Sequence, residues 1–182
     1  MSTIKSALIL SSVCVICAIL LALTYDFTKD KIESHGVGEI ELNLKQVFPQ
    51  ADYFIFNESY YQIYLDDKVI GYAVISEAQG YSSIIKTLVG FNIDGMIKEI
   101  RIIEQSDTPG IGDKVQEPIF YNQFQGLSQT QATLISQGGK IDGITGATVT
   151  TNSVIRSVNS AFNVIQDVIL TNNNTMDQED ED

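Results

Sequence analysis

The chain is poor in the residue types that most often carry catalysis or bind metals. Its 182 residues include no tryptophan, one histidine, two cysteines and three prolines. The one histidine, His35, has no cysteine or carboxylate at metal-ligand spacing, which favours a solvated surface side chain. The sequence shows no serine–histidine–aspartate arrangement and no carboxylate pair in a plausible cleft. We therefore predict no catalytic residue and no metal site.

Positive charge is also scarce. The chain has 11 lysines and arginines against 23 aspartates and glutamates, which gives a formal net charge of −12 and a pI of about 4.3. Such a surface repels nucleic-acid phosphates, so no nucleic acid is expected as a partner. An acidic domain is better placed to meet a basic partner or to remain soluble.

Charge is absent altogether from Ser6 to Tyr25, and most of these residues are apolar. Twenty helical residues at about 1.5 Å each span roughly 30 Å, the thickness of the hydrocarbon core of a bilayer. A cleaved signal peptide is the alternative, but its apolar stretch is typically about 7–15 residues long and a small-residue cleavage site follows it. The length favours a retained transmembrane anchor over residues 1–25.

The flanking charge indicates the orientation of this anchor only weakly. Lys5 and the α-amine lie before the span, and Lys29 and Lys31 lie after it, so the basic charges are nearly balanced. The short N-terminal stub contains no domain that would have to be translocated. This favours a single-pass protein whose soluble domain lies on the extracytoplasmic side.

Residues 26–50 are predicted to form a helical stem. Lys29 to Glu33 continue the membrane helix into solvent, and His35 to Gly38 interrupt it. A second short helical segment then ends at Pro49.

The pattern beyond the stem indicates an α+β domain over residues 51–170, with an antiparallel sheet and packed helices. Aromatic and β-branched runs predict four strands, and Asp66–Asp67 and Asp94–Gly95 read as turns. The strands cover residues 60–65, 69–75, 84–93 and 96–104, a short helix or turn surrounds residues 120–127, and a further strand covers residues 134–141. Apolar residues at spacings of three and four predict an amphipathic helix from Thr151 to about residue 170. Residues 171–182 are polar and acidic and are predicted to be a disordered tail.

The segment from Asp142 to Thr148, with the sequence Asp-Gly-Ile-Thr-Gly-Ala-Thr, carries the strongest functional signal. It places hydroxyl groups on a turn of small residues directly before the amphipathic helix. Small residues allow close approach of a ligand, and the free N–H groups at a helix start suit a phosphate. The residues alone leave two interpretations open. One is a phosphate-bearing ligand within reach of the Thr148 hydroxyl, and the other is an ordinary helix cap in which Thr148 or Thr150 satisfies backbone donors.

The same segment matches the flavinylation pattern Asp-x-x-Ser/Thr-Gly-Ala-Thr/Ser at every specified position. The chain resembles the RnfG family of ion-translocating ferredoxin:NAD oxidoreductases and is more distantly similar to the NqrC subunit of the sodium-pumping NADH:quinone oxidoreductase. The resemblance implies that a flavin transferase attaches FMN to Thr148 through a phosphoester bond. It further implies that the transferase reads Asp142. The residues implied to shape the turn are Thr145, Gly146 and Ala147.

A second segment, Ser106 to Lys114, resembles the Thr-Pro-Gly-Leu-Gly loop of the same family, with Ile111 in place of leucine. The resemblance implies that this loop lines the flavin pocket. The implied lining residues are Thr108, Pro109, Gly110 and Gly112.

Two further side chains are candidates for contact with the flavin. Lys114 is a nearby cation that either balances phosphate or reduced-flavin charge or is simply solvated. Tyr81 lies in a Gly80–Tyr81 turn that also resembles the family, and it either stacks on the flavin ring or forms the edge of the core.

The resemblance implies a flavoprotein subunit anchored in the cell (inner) membrane by a single span. Such a subunit relays electrons through covalent FMN to other membrane subunits of an Rnf-type complex and is not catalytic alone. Two alternatives remain open. One is an NqrC-like subunit of a quinone-reducing sodium pump, and the other is an anchored domain that binds FMN loosely or acts as a scaffold.

Overall fold

The computed structural model describes the backbone of residues 2–107 and 112–179, with side chains described outside residues 2–5, 26–37 and 170–179. The chain divides into two compact units, Met1–Glu41 and Leu42–Asp182.

The first unit is helical throughout its described length. Helix α1 covers Ser2–Val47, and its stretch Ser6–Tyr25 has a mean hydropathy of 2.7 with none of it buried. By length and composition this stretch is able to cross a membrane, as predicted. The predicted interruption at residues 35–38 is wrong, because the helix is continuous to Val47 and ends just before Pro49. Glycine costs only about 1 kcal/mol within a helix, which the flanking residues offset.

The second unit contains a five-stranded antiparallel sheet in which each strand pairs with the next along the chain. The strands are β1 (Tyr53–Asn57), β2 (Tyr60–Leu65), β3 (Lys68–Gln79), β4 (Ile84–Asn92) and β5 (Ile97–Glu104). The antiparallel meander and the α+β class are therefore confirmed. Strand β1 is a short edge strand that the sequence pattern did not predict, and β3 extends four residues beyond its predicted end.

The predicted hairpin turns are present and have the backbone geometry that such turns need. Leu65 pairs with Lys68 across a two-residue loop, and both loop residues, Asp66 and Asp67, have positive φ angles of 50° and 59°. Aspartate tolerates this left-handed region better than most side chains do. In the next predicted turn Gly95 has a φ of 80°, which glycine adopts without strain.

Helix α3 (Thr148–Glu179) packs against one face of the sheet, and its buried residues share a core with β3, β4 and β5. The opposite face meets the residues at the end of α1. There Phe48 is 1% exposed, and a Cβ at Gly71 would lie 2.9 Å from its ring. A Cβ at Gly90 would likewise lie 3.0 Å from the Phe48 ring. The two glycines therefore provide the space that this aromatic side chain fills.

The segment between β5 and α3 is mostly short turns rather than strand. Helix α2 (Pro118–Tyr121) is followed by a 3₁₀ turn at Asn122–Phe124, which confirms the predicted short helix. The predicted strand over residues 134–141 is wrong. Leu134 and Ile141 form only an isolated parallel bridge around a 3₁₀ turn at Ile135–Gln137, and Gly138 has a φ of 89°.

Both predicted boundaries of α3 need correction. The helix begins at Thr148 rather than Thr151, so Thr148 lies in its first turn. It also continues to Glu179, across most of the segment predicted to be a disordered tail. Residues 180–182 of that predicted tail lie outside the described residues.

Candidate functional site

The turn that leads into α3 is built around Gly146. The Ala147 N–H donates to the carbonyl oxygen of Ile144 at 2.9 Å, which closes a four-residue turn with Thr145 and Gly146 at its centre. Gly146 has a φ of 82°, the positive value that a type II turn requires at its third position. A side chain here would be strained, so the turn depends on glycine for its shape.

Three threonines follow this turn, and their exposure differs. Thr148 is exposed, whereas Thr150 and Thr151 are 3% and 0% exposed. The buried hydroxyls have defined partners. Thr150 Oγ1 donates to Asp107 Oδ2 at 2.7 Å, and Thr151 Oγ1 accepts from the Ile144 N–H at 3.2 Å. Of these three hydroxyls, the one at Thr148 is therefore the one open to a reagent from solvent.

The backbone at this helix start complements an anion. The first N–H groups of an α-helix have no acceptor within the helix, and they carry the positive end of the helix dipole. Thr148, Val149 and Thr150 supply these groups. A phosphate bonded to the Thr148 hydroxyl would lie within their electrostatic reach.

A buried carboxylate, Asp107, lies behind the first turn of α3. It is 4% exposed, and its oxygens accept hydrogen bonds from the N–H groups of Tyr81, Ser82 and Ser83 at 3.1, 3.0 and 3.1 Å. The hydroxyls of Ser82 and Ser83 also donate to it, each at 3.2 Å. With the Thr150 hydroxyl, this carboxylate connects the β3–β4 turn to α3.

These contacts keep Asp107 ionised. Burial acts to raise the pKa of its carboxyl group. The hydrogen bonds from the Ser82 N–H, the Thr150 hydroxyl and the other N–H groups of the turn outweigh burial and hold this pKa well below its usual range.

Two glycines pack directly on Asp107. A Cβ at Gly80 would lie 2.8 Å from Asp107 Oδ2, and a Cβ at Gly112 would lie 2.6 Å from Asp107 Cβ. Real Cβ contacts essentially never reach such distances, so both positions require glycine in this arrangement. Gly112 therefore lies directly against Asp107.

Two open cavities flank Thr148. The larger has a volume of about 540 Å³ and the smaller about 330 Å³. Thr148 borders both. The larger is otherwise lined by Leu134, Ile135, Ser136, Ile141, Asp142, Gly143, Ile144, Thr145 and Thr151, and the smaller by Tyr81, Gly112, Gly146, Ala147, Val149 and Thr150.

The rim of the smaller cavity exposes apolar surface. Tyr81 is 71% exposed and Val149 is 48% exposed, and they border the same cavity as the small residues Gly146 and Ala147. A planar aromatic ligand would cover this surface, because exposed aromatic and aliphatic groups gain free energy when water is excluded from them.

Most of the residues predicted for the site are brought together here. Asp142 and Thr145 border the larger cavity, and Tyr81, Gly112, Gly146 and Ala147 border the smaller. Thr108, Pro109 and Gly110 lie outside the described residues, although their flanking residues are at the site. Lys114 borders neither cavity and is exposed on a 3₁₀ turn at Gly112–Gln116. The structure therefore does not place Lys114 beside Thr148.

Two residues that hold the site in place, Asp107 and Gln123, were not predicted as site residues from the sequence. Asp107 directly precedes the recognised Thr-Pro-Gly sequence, but its partners are 24–43 residues away along the chain, so spacing gave no signal. Gln123 was missed for the same reason. Its side-chain oxygen accepts from the Asp142 N–H at 2.7 Å, which fixes the start of the motif.

The residues around Thr148 fit a flavin phosphate. An exposed hydroxyl, helix N–H groups and two adjacent cavities supply polar contacts, charge complementarity and room for a ring. The family model for the FMN-binding domain matches residues 80–163, which contain all of these features. Fold and site thus define an FMN-binding domain.

A second family model, the RnfG N-terminal region, matches residues 1–47. The chain is 31% identical over 177 residues to the G subunit of the ion-translocating oxidoreductase complex of Haemophilus influenzae, covering 84% of this chain and 85% of the relative. It is 28% identical over 191 residues to the G subunit of the Na⁺-translocating ferredoxin:NAD⁺ oxidoreductase complex of Acetobacterium woodii, covering 90% and 92% of the two chains. The chain belongs to the RnfG family of ion-translocating oxidoreductase complexes.

Among solved structures, the chain is similar to NqrC of Shewanella oneidensis. The TM-score is 0.48 at 21% sequence identity, over 62% of this chain and 66% of that chain.

Proposed function

We propose that this protein is a single-pass membrane flavoprotein subunit that carries FMN covalently on Thr148 and relays electrons within an ion-translocating ferredoxin:NAD oxidoreductase complex. The observation that carries the proposal is the exposed Thr148 hydroxyl between two cavities at a helix start, inside a matched FMN-binding domain. Membership of the RnfG family supports the place of the protein in such a complex.

Attachment is a phosphoryl-group transfer to the Thr148 hydroxyl by a separate flavin transferase. The donor is a flavin dinucleotide, in which FMN is joined to a nucleoside monophosphate through a pyrophosphate bond. Thr148 Oγ forms a bond to the FMN phosphorus, the pyrophosphate P–O bond breaks, and the nucleoside monophosphate leaves. The hydroxyl proton passes to a base of the transferase or to solvent, and no electrons are transferred.

The residues of this chain bind and orient the attached group. The first-turn N–H groups of α3 stabilise the negative charge of the phosphodiester. Tyr81 and Val149 would cover one side of the ring and exclude water from it, and Gly146 and Ala147 would leave room for its close approach. Bound FMN supplies the capacity to accept and release electrons, while the protein supplies placement and electrostatics.

A covalent link suits a domain outside the cytoplasm. Free FMN is dilute there, and a reversible site would lose its cofactor. The apolar stretch of α1 anchors the protein in the cell membrane, with the soluble domain on the extracytoplasmic side. The other membrane subunits of the complex are the proposed electron-transfer partners.

Replacement of Thr148 tests the attachment. The full-length chain is produced with its transferase, and denatured protein is analysed by intact mass and visible absorbance. Wild type and Thr148→Ser should carry one FMN, whereas Thr148→Ala should carry none. Ser160→Ala, which removes an exposed hydroxyl of the same helix outside the motif and outside both cavities, is the matched control and should retain the flavin. Flavin that survives denaturation in Thr148→Ala contradicts the assignment.

The electron-relay role is tested in the native complex. Complexes that contain the Thr148→Ala variant should assemble with wild-type composition yet lose electron transfer from reduced ferredoxin to NAD⁺. Full activity in an assembled complex without this flavin would show that the protein acts as a scaffold.

A further inference from the structure

The buried Asp107 carboxylate bridges two segments that both border the smaller cavity. On one side it accepts from the backbone N–H groups of Tyr81, Ser82 and Ser83 in the β3–β4 turn. On the other side it accepts from the Thr150 hydroxyl in the first turn of α3. Tyr81 and Thr150 also line that cavity, so the carboxylate is shared by two of its walls.

The contact with Thr150 determines which way Thr148 faces. Successive residues of an α-helix are rotated by about 100°, so positions two apart point in nearly opposite directions. Thr150 is buried against Asp107 at 2.7 Å, and Thr148 consequently faces away from the core. A first turn that rotated or frayed would carry the Thr148 hydroxyl away from this direction.

The contact with the β3–β4 turn sets the position of Tyr81, whose ring forms the aromatic wall of the smaller cavity. The Tyr81 N–H donates to the same carboxylate oxygen, Oδ2, that accepts from Thr150. The ring of Tyr81 is 71% exposed, so this backbone anchor, rather than burial of the side chain, holds it near the helix start.

We propose that Asp107 is a positioning residue for flavin attachment, which orients the Thr148 hydroxyl through Thr150 and places the Tyr81 wall through its N–H. The proposal rests on the attachment at Thr148 and adds a residue that does not itself touch the phosphate. The attachment step is the transfer described above, with Thr148 Oγ as the acceptor and the nucleoside monophosphate as the leaving group.

A second hydroxyl contact one turn along provides an internal comparison. Ser153 Oγ donates to the carbonyl oxygen of Gln79 and so also ties α3 to the end of β3, but Ser153 borders neither cavity at Thr148. Loss of this contact removes a part-buried hydrogen bond from the same helix but leaves the hydrogen bond between Thr150 and Asp107 in place.

The experiment measures the initial rate at which the full-length chain in detergent takes up flavin. Purified transferase and a flavin dinucleotide are added, and the product is quantified by intact mass. Thr150→Val keeps the shape of the side chain but removes the donor, and its rate should fall by about tenfold or more, because displacement of a reacting group by about 1 Å has effects of that size. Thr150→Ser restores the hydroxyl and should recover most of the rate, and Ser153→Ala should match wild type.

Asp107→Asn provides the second arm of the experiment. It should slow uptake as Thr150→Val does, and the combination of both changes should be little slower than either alone, because they break the same contact. The circular dichroism of the attached flavin should differ from wild type in Asp107→Asn, because loss of the carboxylate also weakens the contact that positions Tyr81. If Asp107→Asn does not fold, the comparison of Thr150→Val with Thr150→Ser tests the proposal by itself.

The outcomes separate this proposal from the one on which it rests. A Thr150→Val rate equal to wild type overturns the role of Asp107, as does equal slowing in Thr150→Val and Ser153→Ala or a failure of Thr150→Ser to recover. A wild-type chain that accepts no flavin, or a Thr148→Ala chain that accepts it, overturns the attachment itself instead.

Discussion

The first turn of α3 and the middle of the same helix are held in place by different forces. From Val154 to Ile165 the helix mainly buries apolar side chains against the sheet, with one buried polar contact, between Ser157 and Ser76. Between Thr148 and Thr151 the contacts are directional hydrogen bonds, from Thr150 to Asp107 and from the Ile144 N–H to Thr151. Apolar burial is nearly indifferent to small rotations, whereas a hydrogen bond fixes both distance and angle.

This difference teaches how one helix meets two requirements. Apolar burial in the middle of the helix stabilises the fold, and hydrogen bonds in the first turn orient an exposed hydroxyl. Changes in the middle should therefore alter stability with little effect on flavin attachment to folded molecules, and changes in the first turn should do the reverse. Three measurements, taken from the largest expected effect to the smallest, test this division.

Removal of an aromatic side chain from the middle of the helix should produce the largest loss of stability. Phe162 is 3% exposed and packs edge-to-face on Phe91 with ring centroids 5.0 Å apart. Phe162→Ala should lower the free energy of unfolding by about 3–5 kcal/mol, as measured by urea denaturation of the full-length chain in detergent.

The rate of flavin attachment per folded Phe162→Ala molecule should stay near that of wild type. Ser160→Ala, at an exposed position of the same helix, is the control and should change little in either measurement. Loss of attachment that exceeds the loss of folded protein would break the proposed division between the two regions.

Acid should weaken the polar region selectively. The pKa of Asp107 is lower in the folded chain than its ordinary value near 4, so the unfolded chain binds this proton more readily. The stabilisation from this carboxylate is therefore complete above about pH 4 and declines as the pH falls towards the lower folded-state pKa. Urea denaturation at pH 6 and pH 3 should show a smaller acid-induced loss in Asp107→Asn than in wild type.

Asp142→Asn, which removes an exposed carboxylate from the same site, is the matched control for this comparison. It should show nearly the full acid-induced loss of wild type. An Asp107→Asn variant that loses as much stability as wild type would show that the buried carboxylate makes no special contribution.

The smallest effect is expected at Lys114. This exposed residue follows Gly112 closely in sequence but borders neither cavity at Thr148. Exposed charges contribute only about 0–1 kcal/mol to neighbouring groups. Lys114→Ala should therefore leave the initial attachment rate within about twofold of wild type. A larger fall, reversed at Lys114→Arg, would place this cation at the phosphate after all.

The sheet was predictable because its signals are local. A run of aromatic and β-branched residues such as Tyr60–Leu65 predicts a strand without reference to the rest of the chain, and Asp94–Gly95 specifies a hairpin within a few residues. The edge strand Tyr53–Asn57 is short, and pairing with β2 decides its conformation. The continuity of α1 was missed because Gly36 and Gly38 have a weak local preference that the rest of the helix overrides.

The site was predictable only in part, for a related reason. The turn around Gly146 has a sequence signature, and it led to Thr148. The segment from Leu134 to Ile141 has apolar residues at both ends, a pattern that predicts a strand, but Gly138 and Gly139 fold it back on itself. Asp107 meets partners from two distant segments, and a contact of this kind becomes visible only when the chain is folded.

The close approach of Gly112 to Asp107 has a consequence for how this domain can change. A side chain at position 112 would have to displace Asp107, whose carboxylate also accepts from the Tyr81 N–H and the Thr150 hydroxyl. A larger residue there would therefore disturb two walls of the smaller cavity at once. Natural variation or engineering of this cavity thus has to proceed around a fixed glycine.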